Sequence, residues 1–394
     1  MMPKTRTEIT LYVLAFVMPL LYFLNLPFSP ERSTPELMNH FFGADCWRVL
    51  ENLRDRTIRI NHYRDQVHPY FSLFAVSISK PAAIINIEGA EFLLYRTVFG
   101  TLGVFLFWLL IFSETRQPLI AFSAVLLLLS TFTVRVWSIL PETSLFGFFT
   151  LMFSLILIRA RSGVPAVFIV SLSGTITNTI LGMSYLIRQF NFRKQLFNNL
   201  LYIVFSIAIL SMLQRMLFPT SAYFFNVLGL IHEHEFLNNT TTSTPFRLFD
   251  FIYSGFVIPL PDSLTGTVLS QVLWGMFFDN AVAGYSQVVT LGVGLVLAII
   301  PALLCAAIYK FYKDPAKSEI GIYVLVFLAF QFLLNMVYGD IPFLYSYNFL
   351  PMMLLFIILY LPRNTITVTV LIVFSAILQQ IQGAQLERFN QIFG

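Results

Sequence analysis

Long apolar segments recur along the whole chain and are separated by short polar stretches. Most contain roughly 17 to 25 residues, enough for an α-helix to cross the hydrocarbon core of a bilayer. Because backbone polar groups in lipid must be bonded within their own segment, helices are the expected spanning element. We place spans at 8–26, 92–112, 118–139, 144–160, 199–218, 287–310, 320–338, 346–362 and 364–384. The pattern therefore predicts an all-α membrane protein.

The segment 164–187 is apolar but too short for two full crossings. Read as one crossing, it places the basic loop RQFNFRK outside. Read as two short helices broken near SGTITN, from Ser173 to Asn178, it keeps that loop in the cytoplasm. Broken backbone at membrane depth is tolerated where it is buried in protein or lines a cavity. We therefore predict a short or re-entrant helix pair, with Thr175, Thr177 and Asn178 beside a cavity.

The distribution of basic residues predicts the orientation, because short loops rich in Lys and Arg stay in the cytoplasm. The residues expected inside are Lys4, Arg6, Arg116, Arg159, Arg161, Arg188, Arg193, Lys194, Lys310, Lys313, Lys317 and Arg363, with the acids Glu8, Glu114, Asp314 and Glu319. This arrangement gives about 11 transmembrane or re-entrant helices. It places the N-terminus inside and the C-terminus outside.

Two connections on the outer side are long, at 27–91 and 219–286. Loops of this length commonly carry function. No internal repeat or low-complexity segment separates further units, so 1–394 is read as a single integral membrane domain. The absence of similarity between the two halves argues against a transporter built from repeats.

Composition supports a membrane protein rather than a soluble enzyme or a nucleic-acid-binding protein. Hydrophobic residues make up 57% of the 394 residues and charged residues only 11%. The net charge of +4 is spread over loops and indicates no nucleic-acid partner. Cys46 and Cys305 fall in a loop and a span, so a disulfide is not expected. GxSxG, Walker, GxGxxG and HExxH motifs are missing. A nucleotide substrate handled in the cytoplasm would need a sizeable inner domain, and the pattern predicts none, so any chemistry is expected to face outward.

The first external loop contains an unusually dense group of charged residues. Ala44 to Ile60 fits an amphipathic helix that would lie in the outer interface. Cys46, Trp47, Leu50 and Leu53 share its apolar face, and Arg48, Glu51, Asp55 and Arg59 share the other. Asp45 stands at the N-terminal end, where the helix dipole favours a carboxylate. Capping by Asp45 and surface solvation by the arginines is the alternative interpretation.

Two further stretches carry ionisable residues near the outer face. Arg64, Asp65 and His68 belong to RDQVHPYFSLF, an interfacial segment that turns at His68–Pro69 toward the second span. Arg135 and Glu142 flank the tight connection between the third and fourth spans. Charged groups at membrane depth are candidates for function. Interfacial snorkelling by Arg135 and helix capping by Glu142 are the alternatives.

The remaining candidates are Arg215 near the outer end of its span, Arg247 in the second loop, and Tyr345 and Tyr347 in the late turn GDIPFLYSYNFLP. Taken singly, each is also explained as an interfacial anchor. The HEHE stretch at His232 to Glu235 could chelate a metal or form a solvated loop tip.

Several of these segments, in this order, resemble the GT-C superfamily of polytopic glycosyltransferases. HPYFSLF before the second span, WSILPETSLFGFFTLMF at Trp137 to Phe153, SLSGTITN and YSYNFLPMM are similar to stretches of bacterial relatives of the protein mannosyltransferase and aminoarabinose transferase group. The likeness covers most of the chain. The sequence departs from the family in lacking an Asp-Glu pair after the first span, and in lacking the Arg that often precedes the late Tyr.

The resemblance implies a polyprenyl-phosphate sugar donor in the outer leaflet and an external acceptor hydroxyl on a glycan, a lipid or a protein. A carboxylate would remove the acceptor proton while the anomeric carbon inverts. Cationic side chains would stabilise the leaving lipid phosphate. The implied catalytic acids are Asp45, with Asp65 as its rival, and Glu142. The implied phosphate ligands are Arg64, Arg135 and Arg215. The implied substrate contacts are His68, Asn178, Arg247, Tyr345 and Tyr347.

The resemblance leaves a divalent metal, Mg or Mn, open, because some members of the superfamily use one and others do not. The compact chain favours a bacterial inner membrane, with the site facing the periplasm or exterior. A polymerase or ligase of lipid-linked glycans is the first alternative, and there Arg247, His232 and His234 would carry the chemistry. A lipid or solute transporter is the second, although the charges gather at one face instead of along a central path.

Overall fold

The computed structural model describes residues 6–26, 46–54, 67–85, 89–189, 193–221, 223, 248, 251–253, 255–256, 287–338 and 345–393. These residues are helical or lie in short turns, and none of them forms an extended β-strand. The helices are α1 (Arg6–Asn25), α2 (Cys46–Arg54), α3 (Ser77–Ile85), α4 (Ala90–Thr115), α5 (Pro118–Leu129), α6 (Phe132–Ile139), α7 (Ser144–Arg159), α8 (Val164–Gly174), α9 (Thr179–Arg188), α10 (Arg193–Leu217), α11 (Gln287–Lys313), α12 (Gly321–Val337), α13 (Ser346–Tyr360) and α14 (Thr365–Phe393). The expected all-α class is confirmed.

Long apolar helices give the described part of the chain its membrane character. Five helices are long and apolar enough to cross a bilayer, namely α1, α4 and the longer parts of α10, α11 and α14. The number rises to six if α5 and α6, which are bent by 59° at their junction, count as one span. The shorter apolar helices are α7, α8, α12 and α13. This number of full-length spans is smaller than the segment number expected from hydropathy, because those four helices are short.

The centre of the bundle is formed by α4, α7 and α13. Every residue of α13 except Asn348 is buried, as expected for a helix that is apolar on all sides. Bare glycine backbone lets neighbouring helices approach α4. The ring of Phe23 from α1 covers Gly100, and the ring of Phe148 from α7 covers Gly103.

The periphery of the bundle exposes large apolar side chains. On α10, the exposed fraction is 67% for Phe197, 64% for Phe205 and 77% for Met216. A stripe of this kind is costly in water and is the normal outer surface of a helix that faces lipid. The described part of the chain is therefore consistent with an integral membrane protein.

Helices α8 and α9 form a broken, antiparallel pair. Thr175 adopts an extended backbone conformation that ends α8, and a 3₁₀ turn at Ile176–Asn178 leads into α9. Gly182 of α9 faces the backbone of Phe168 of α8, and the Tyr185 hydroxyl donates to the Ser162 carbonyl at 3.0 Å. The chain therefore returns to the end of the bundle from which it came. This result confirms the interpretation of 164–187 as two short helices broken near SGTITN.

One end of the bundle collects the basic residues expected in the cytoplasm. Arg159 of α7 forms ion pairs with Glu114 of α4 at 2.7 Å and with Glu319 at 3.6 Å. Arg161 reaches the same Glu319 at 3.3 Å. The guanidinium of Arg188 lies over a tyrosine ring of α12 at 5.4 Å. The helix ends of α4, α7, α9 and α12 are thus joined by charge at this end, which we call the basic end.

Two more contacts complete the basic end. The Gln117 amide donates to the Arg363 carbonyl at 3.1 Å, which ties the start of α5 to the start of α14. The Lys317 ammonium donates to the Leu361 carbonyl at 3.4 Å. Partial burial lowers the pKa of Lys317, and the neighbouring charges of Arg363 and Lys310 lower it further. The side chain nevertheless lies where a cation can bond the last carbonyls of α13.

The helix expected between Ala44 and Ile60 is described as α2, Cys46–Arg54. Cys46, Leu50 and Leu53 are buried, as the pattern predicted. Arg48 was expected on the polar, solvent-facing side, and this expectation is wrong because only 8% of its surface is exposed. The reason is that α2 packs on the 72–85 segment and on α4, so that protein covers more than one face of this short helix. Cys46 and Cys305 are both free thiols.

Candidate functional site

His68 joins two distant parts of the chain by hydrogen bonds from both ring nitrogens. Nδ1 lies 2.9 Å from the carbonyl oxygen of Gly174, the last residue of α8. Nε2 lies 3.3 Å from the hydroxyl oxygen of Thr143, just before α7. The segment after the first external loop, the connection before α7 and the tip of the α8–α9 pair therefore meet at this imidazole.

The hydrogen-bonding partners of His68 and Thr143 determine where the protons can lie. The Gly174 carbonyl can only accept, so Nδ1 of His68 carries a proton and donates. The Thr143 hydroxyl lies 3.1 Å from Oε2 of Glu142 and can donate to it. When it does, Nε2 of His68 donates to the Thr143 oxygen, and the imidazole is a cation. When Thr143 donates to Nε2 instead, the imidazole is neutral. The hydrogen-bond geometry is compatible with both of these proton arrangements.

The connection that carries Glu142 and Thr143 is held rigidly. The Thr143 backbone N–H donates to Oε2 of Glu142 at 2.5 Å. The buried hydroxyl of Tyr95, on α4, donates to the Glu142 carbonyl at 2.8 Å and accepts from the Phe146 N–H at 3.3 Å. A carboxylate at the N-terminus of α7 is also favoured by the helix dipole. The capping role considered for Glu142 and its place in the His68 chain are therefore compatible.

The segment that presents His68 is anchored on the opposite side. Pro69 and Tyr70 are buried, and the Tyr70 hydroxyl donates to the Ile207 carbonyl of α10 at 3.3 Å. Burial raises the pKa of Tyr70 to about 12, so the hydroxyl keeps its proton at neutral pH. A π-helical stretch at Ser72–Val76 follows. Such stretches are rare and are frequent at functional sites.

The tip of the α8–α9 pair lies against the first turns of α7. Asn178 is fully buried, and its Nδ2 donates to the Gly147 carbonyl at 3.4 Å. Gly174 is bare on the side that faces Thr150 and Gly147; a Cβ there would lie 2.9 Å from the Gly147 Cα, closer than side chains pack. The glycine in SGT therefore permits the close contact that brings its carbonyl to His68.

A second set of buried polar contacts lies where α6 meets α13. The Thr133 hydroxyl donates to Ser346 Oγ at 2.8 Å, and Trp137 Nε1 donates to the same oxygen at 3.3 Å. Tyr347 is buried, with its ring 5.2 Å from that of Phe148. Tyr345 is half-buried, and its ring lies 6.0 Å from that of Tyr338.

The structure brings some of the candidate residues predicted from the sequence together and leaves others apart. His68, Glu142 and Asn178 lie around the turn before α7, and Tyr347 touches Phe148 of the same helix. Arg135 is half-buried on α6.

Arg215 lies on the exposed side of α10, with its guanidinium 4.6 Å above the Tyr223 ring. The candidates Asp45, Arg64, Asp65, Arg247, His232 and His234 lie outside the described residues.

Thr143, Gly147 and the Gly174 carbonyl were not singled out from the sequence. Threonine after Pro-Glu is typical of helix starts, so its type gave no signal of a contact with a histidine 75 positions earlier. The polar turn of SGTITN did give a signal, because it marked a break in an apolar segment. That signal identified Asn178 and also located Gly174.

The described residues contain no group of three or more His, Cys, Asp or Glu side chains placed to hold a metal ion. Comparison of the chain with family models, curated proteins and solved structures finds no match.

Proposed function

We propose that this protein is a membrane glycosyltransferase that moves a sugar from a polyprenyl-phosphate donor to an external acceptor hydroxyl. The acceptor would belong to a glycan, a lipid or a protein. The proposal joins the resemblance to GT-C enzymes with one structural observation, the hydrogen-bonded chain from Glu142 through Thr143 to His68 and Gly174.

This series of hydrogen bonds supports the proposal because it links three segments that were identified independently from the sequence. These are the HPYFSLF segment, the PET connection before α7 and the SGTITN break. In a bundle made mostly of apolar side chains, a connected set of carboxylate, hydroxyl and imidazole groups is costly unless all members are bonded. This set of groups lies at the end of the bundle opposite the basic end, and an outward-facing reaction would take place there.

The reaction would proceed as one in-line displacement. The acceptor oxygen forms a bond to the anomeric carbon, the bond from that carbon to the phosphate oxygen breaks, and the acceptor proton passes to a carboxylate. Asp45, or its rival Asp65, takes the proton in this proposal. The leaving phosphate gains charge, which Arg64 and Arg135 would stabilise, with Arg215 further out on α10.

In this mechanism, His68 would contribute charge rather than a direct hydrogen bond to the phosphate. Both of its nitrogens are already engaged, with Gly174 and Thr143. In the arrangement in which Nε2 donates to Thr143, the imidazole carries a positive charge, which would favour the leaving phosphate. Glu142 would then be a positioning residue that acts through Thr143, and Asn178, Arg247, Tyr345 and Tyr347 would contact the substrates.

The proposed topology has the basic end in the cytoplasm of a bacterial inner membrane. Helices α1, α4, α5 with α6, α7, α10, α11, α12, α13 and α14 would each cross, and α8–α9 would enter and leave on the cytoplasmic side. This arrangement gives about 11 segments, with the N-terminus in and the C-terminus out.

The proposal is tested by sugar transfer in lipid vesicles. Purified protein is mixed with a panel of radiolabelled polyprenyl-phosphate sugars and a crude cell-envelope acceptor. We expect one donor to be consumed by the wild type and not by Asp45→Asn, and we expect Glu142→Gln to lower kcat about 100-fold. Glu319→Gln, at the basic end, is the matched control and should retain activity. Failure of the wild type to consume any donor would refute the proposal.

A further inference from the structure

Three cations lie close together at the basic end, where α11 ends and α14 begins. Lys310 belongs to the last turn of α11, Lys317 ends the 3₁₀ turn Pro315–Lys317, and Arg363 lies two residues before α14. The Lys310 carbonyl accepts from the Asp314 N–H at 2.9 Å, and the Asp314 carbonyl accepts from the Lys317 N–H at 3.3 Å. Two successive turns therefore join Lys310 to Lys317. We call Lys310, Lys317 and Arg363 the cationic cluster.

The side chain of Lys317 connects the two halves of the cationic cluster. Its ammonium donates to the Leu361 carbonyl at 3.4 Å, so it reaches from the turn after α11 to the chain just before Arg363. Partial burial lowers the pKa of Lys317, and the charges of Arg363 and then Lys310 lower it further. Because such an effect decreases with distance, both of these cations are neighbours of the Lys317 ammonium.

The positive charge of the cationic cluster is not balanced by the part of the chain that the structure describes. None of its three side chains forms an ion pair with a described acid, whereas Arg159 and Arg161 at the same end both pair with Glu319. Asp314 is exposed, and its charge raises the pKa of Lys317. One carboxylate beside three cations leaves a net positive charge. A bound anion would reduce the repulsion among these cations.

The cationic cluster lies at the level expected for phospholipid headgroups. The apolar part of α11 that can cross a bilayer ends at Lys313, and that of α14 begins at Thr365. The same ends of these two helices, which pack on each other, expose the apolar side chains Ile308, Tyr312 and Ile366. An anion bound by the cluster would therefore have exposed apolar surface beside it, which suits the acyl chains of a lipid.

We infer that the cationic cluster binds the phosphate headgroup of an anionic phospholipid. Ammonium and guanidinium groups both donate to phosphate oxygens, and a guanidinium can do so with two parallel bonds. Basic pockets between transmembrane helices suit anionic headgroups for this reason. Phosphatidylglycerol should bind better than phosphatidylcholine, because the choline cation cancels the charge of its own phosphate. This inference does not rest on the proposed transferase activity.

The test measures the affinity of the full-length protein in detergent by microscale thermophoresis. The ligands are phosphatidylglycerol, phosphatidylcholine with the same acyl chains, and inorganic phosphate. The variants are Lys310→Gln and Arg363→Gln; the bond between Gln117 and Arg363 uses the backbone carbonyl, so loss of the guanidinium leaves it intact. The matched controls are Arg161→Gln, which removes an ion-paired cation, and Lys313→Gln, whose ammonium lies over a tyrosine ring of α11 at 5.7 Å.

We expect the wild type to bind phosphatidylglycerol about tenfold more tightly than phosphatidylcholine. Each cluster variant should weaken phosphatidylglycerol binding about fivefold and leave phosphatidylcholine binding unchanged, because one cation is lost from the neighbourhood of the anion. Each control should change either affinity by less than about twofold. Inorganic phosphate should bind more weakly by about 100-fold, since it has no acyl chains to contact the apolar surface.

Equal affinity of the wild type for the two lipids would overturn the inference. An equal loss in the controls and the cluster variants would also overturn it, because the charge of the whole basic end would then attract the lipid. If inorganic phosphate bound as tightly as phosphatidylglycerol, and through the same two residues, the site would be one for a soluble anion and not for a lipid. Because no sugar donor is present, these outcomes are separate from that of the transfer assay.

Discussion

At the scale of the residue, Thr143 connects the two ionisable groups of the candidate site. Its hydroxyl lies 3.3 Å from Nε2 of His68 and 3.1 Å from Oε2 of Glu142. A hydroxyl both donates and accepts, so it can pass the effect of the carboxylate to the imidazole. Neither an alanine nor a valine could do this, although valine has nearly the same shape as threonine.

We predict that Thr143→Val lowers the kcat of sugar transfer about 10- to 100-fold and leaves donor KM nearly unchanged. The substitution keeps the packing and removes the hydroxyl that lies between His68 and Glu142. Thr143→Ser keeps the hydroxyl and should restore at least half of the activity. The readout is initial rate against donor concentration in vesicles. Equal loss in the valine and serine variants would show that shape, and not the hydroxyl, matters here.

Also at the residue scale, Gly182 allows α9 to lie against α8. A Cβ there would be 2.6 Å from the backbone Cα of Phe168, which cannot turn aside as a flexible side chain could. Overpacking of this kind typically costs about 1–3 kcal/mol.

We therefore predict that Gly182→Ala lowers the free energy of unfolding by about 1–3 kcal/mol. Gly294→Ala is the control, because nothing lies within 4 Å of its Cβ position. The control should be neutral, or more stable by up to about 1 kcal/mol from helix propensity. The measurement is the midpoint of thermal unfolding in detergent. A neutral Gly182→Ala would mean that α8 and α9 are not in contact at this position.

At the scale of the element, the α8–α9 pair decides how the later helices are arranged. The pair enters and returns at the basic end, with Ser162 and Tyr185 bonded at 3.0 Å. Its tip reaches the opposite half of the bundle, where Gly174 meets His68. Buried turns at membrane depth are tolerated because protein groups satisfy the free backbone atoms, as His68 does here for the Gly174 carbonyl.

We predict that cysteines placed at Ser162 and Gln189 are labelled from the same side of the membrane by an impermeant maleimide. The background is a variant in which Cys46 and Cys305 are replaced by serine. A cysteine at Pro219, an exposed position just after the end of α10, is the control and should be labelled only from the other side. Labelling of positions 162 and 189 from opposite sides would show that 164–187 crosses once.

At the scale of the whole molecule, charge is concentrated at the basic end and polar hydrogen bonding at the other. Glu114 is nearly buried, with 6% of its side chain exposed, and its carboxylate pairs with Arg159 at 2.7 Å. Arg159 also reaches Glu319, so α4, α7 and the turn before α12 share one ion-pair network. The network closes the bundle opposite the candidate site.

We predict that Glu114→Gln lowers the free energy of unfolding by about 1–2 kcal/mol, because it leaves Arg159 with one distant partner. The value is below that of a fully buried pair since about a third of the Arg159 side chain is exposed, and water screens it. Asp314→Asn, an exposed residue at the same end, is the matched control. Thermal unfolding at low and at high salt gives the readout, and an unchanged midpoint at low salt would contradict the prediction.

Hydropathy determined the helical class and the positions of the main helices, and together with the distribution of basic residues it predicted the broken pair near SGTITN. This was possible because a helix in an apolar setting forms all its backbone hydrogen bonds within its own segment. Its length can therefore be predicted from the local hydrophobic pattern. The positions of His68, Glu142 and Asn178 as candidates could also be read locally, because polar groups are conspicuous among apolar ones. The environment of the polar side of α2 could not be predicted locally, because neighbouring helices cover Arg48.

Only the tertiary structure decided which polar groups meet. The bond between His68 and Gly174 joins residues 106 positions apart, and Gly147 lies beside Asn178 and Asn348, which come from two other helical segments. No local pattern encodes such contacts, because they depend on how helices pack and on which glycines permit close approach. The sequence determined which residues could act in this protein; the packing of α4, α7, α8 and α13 decided which of them act together.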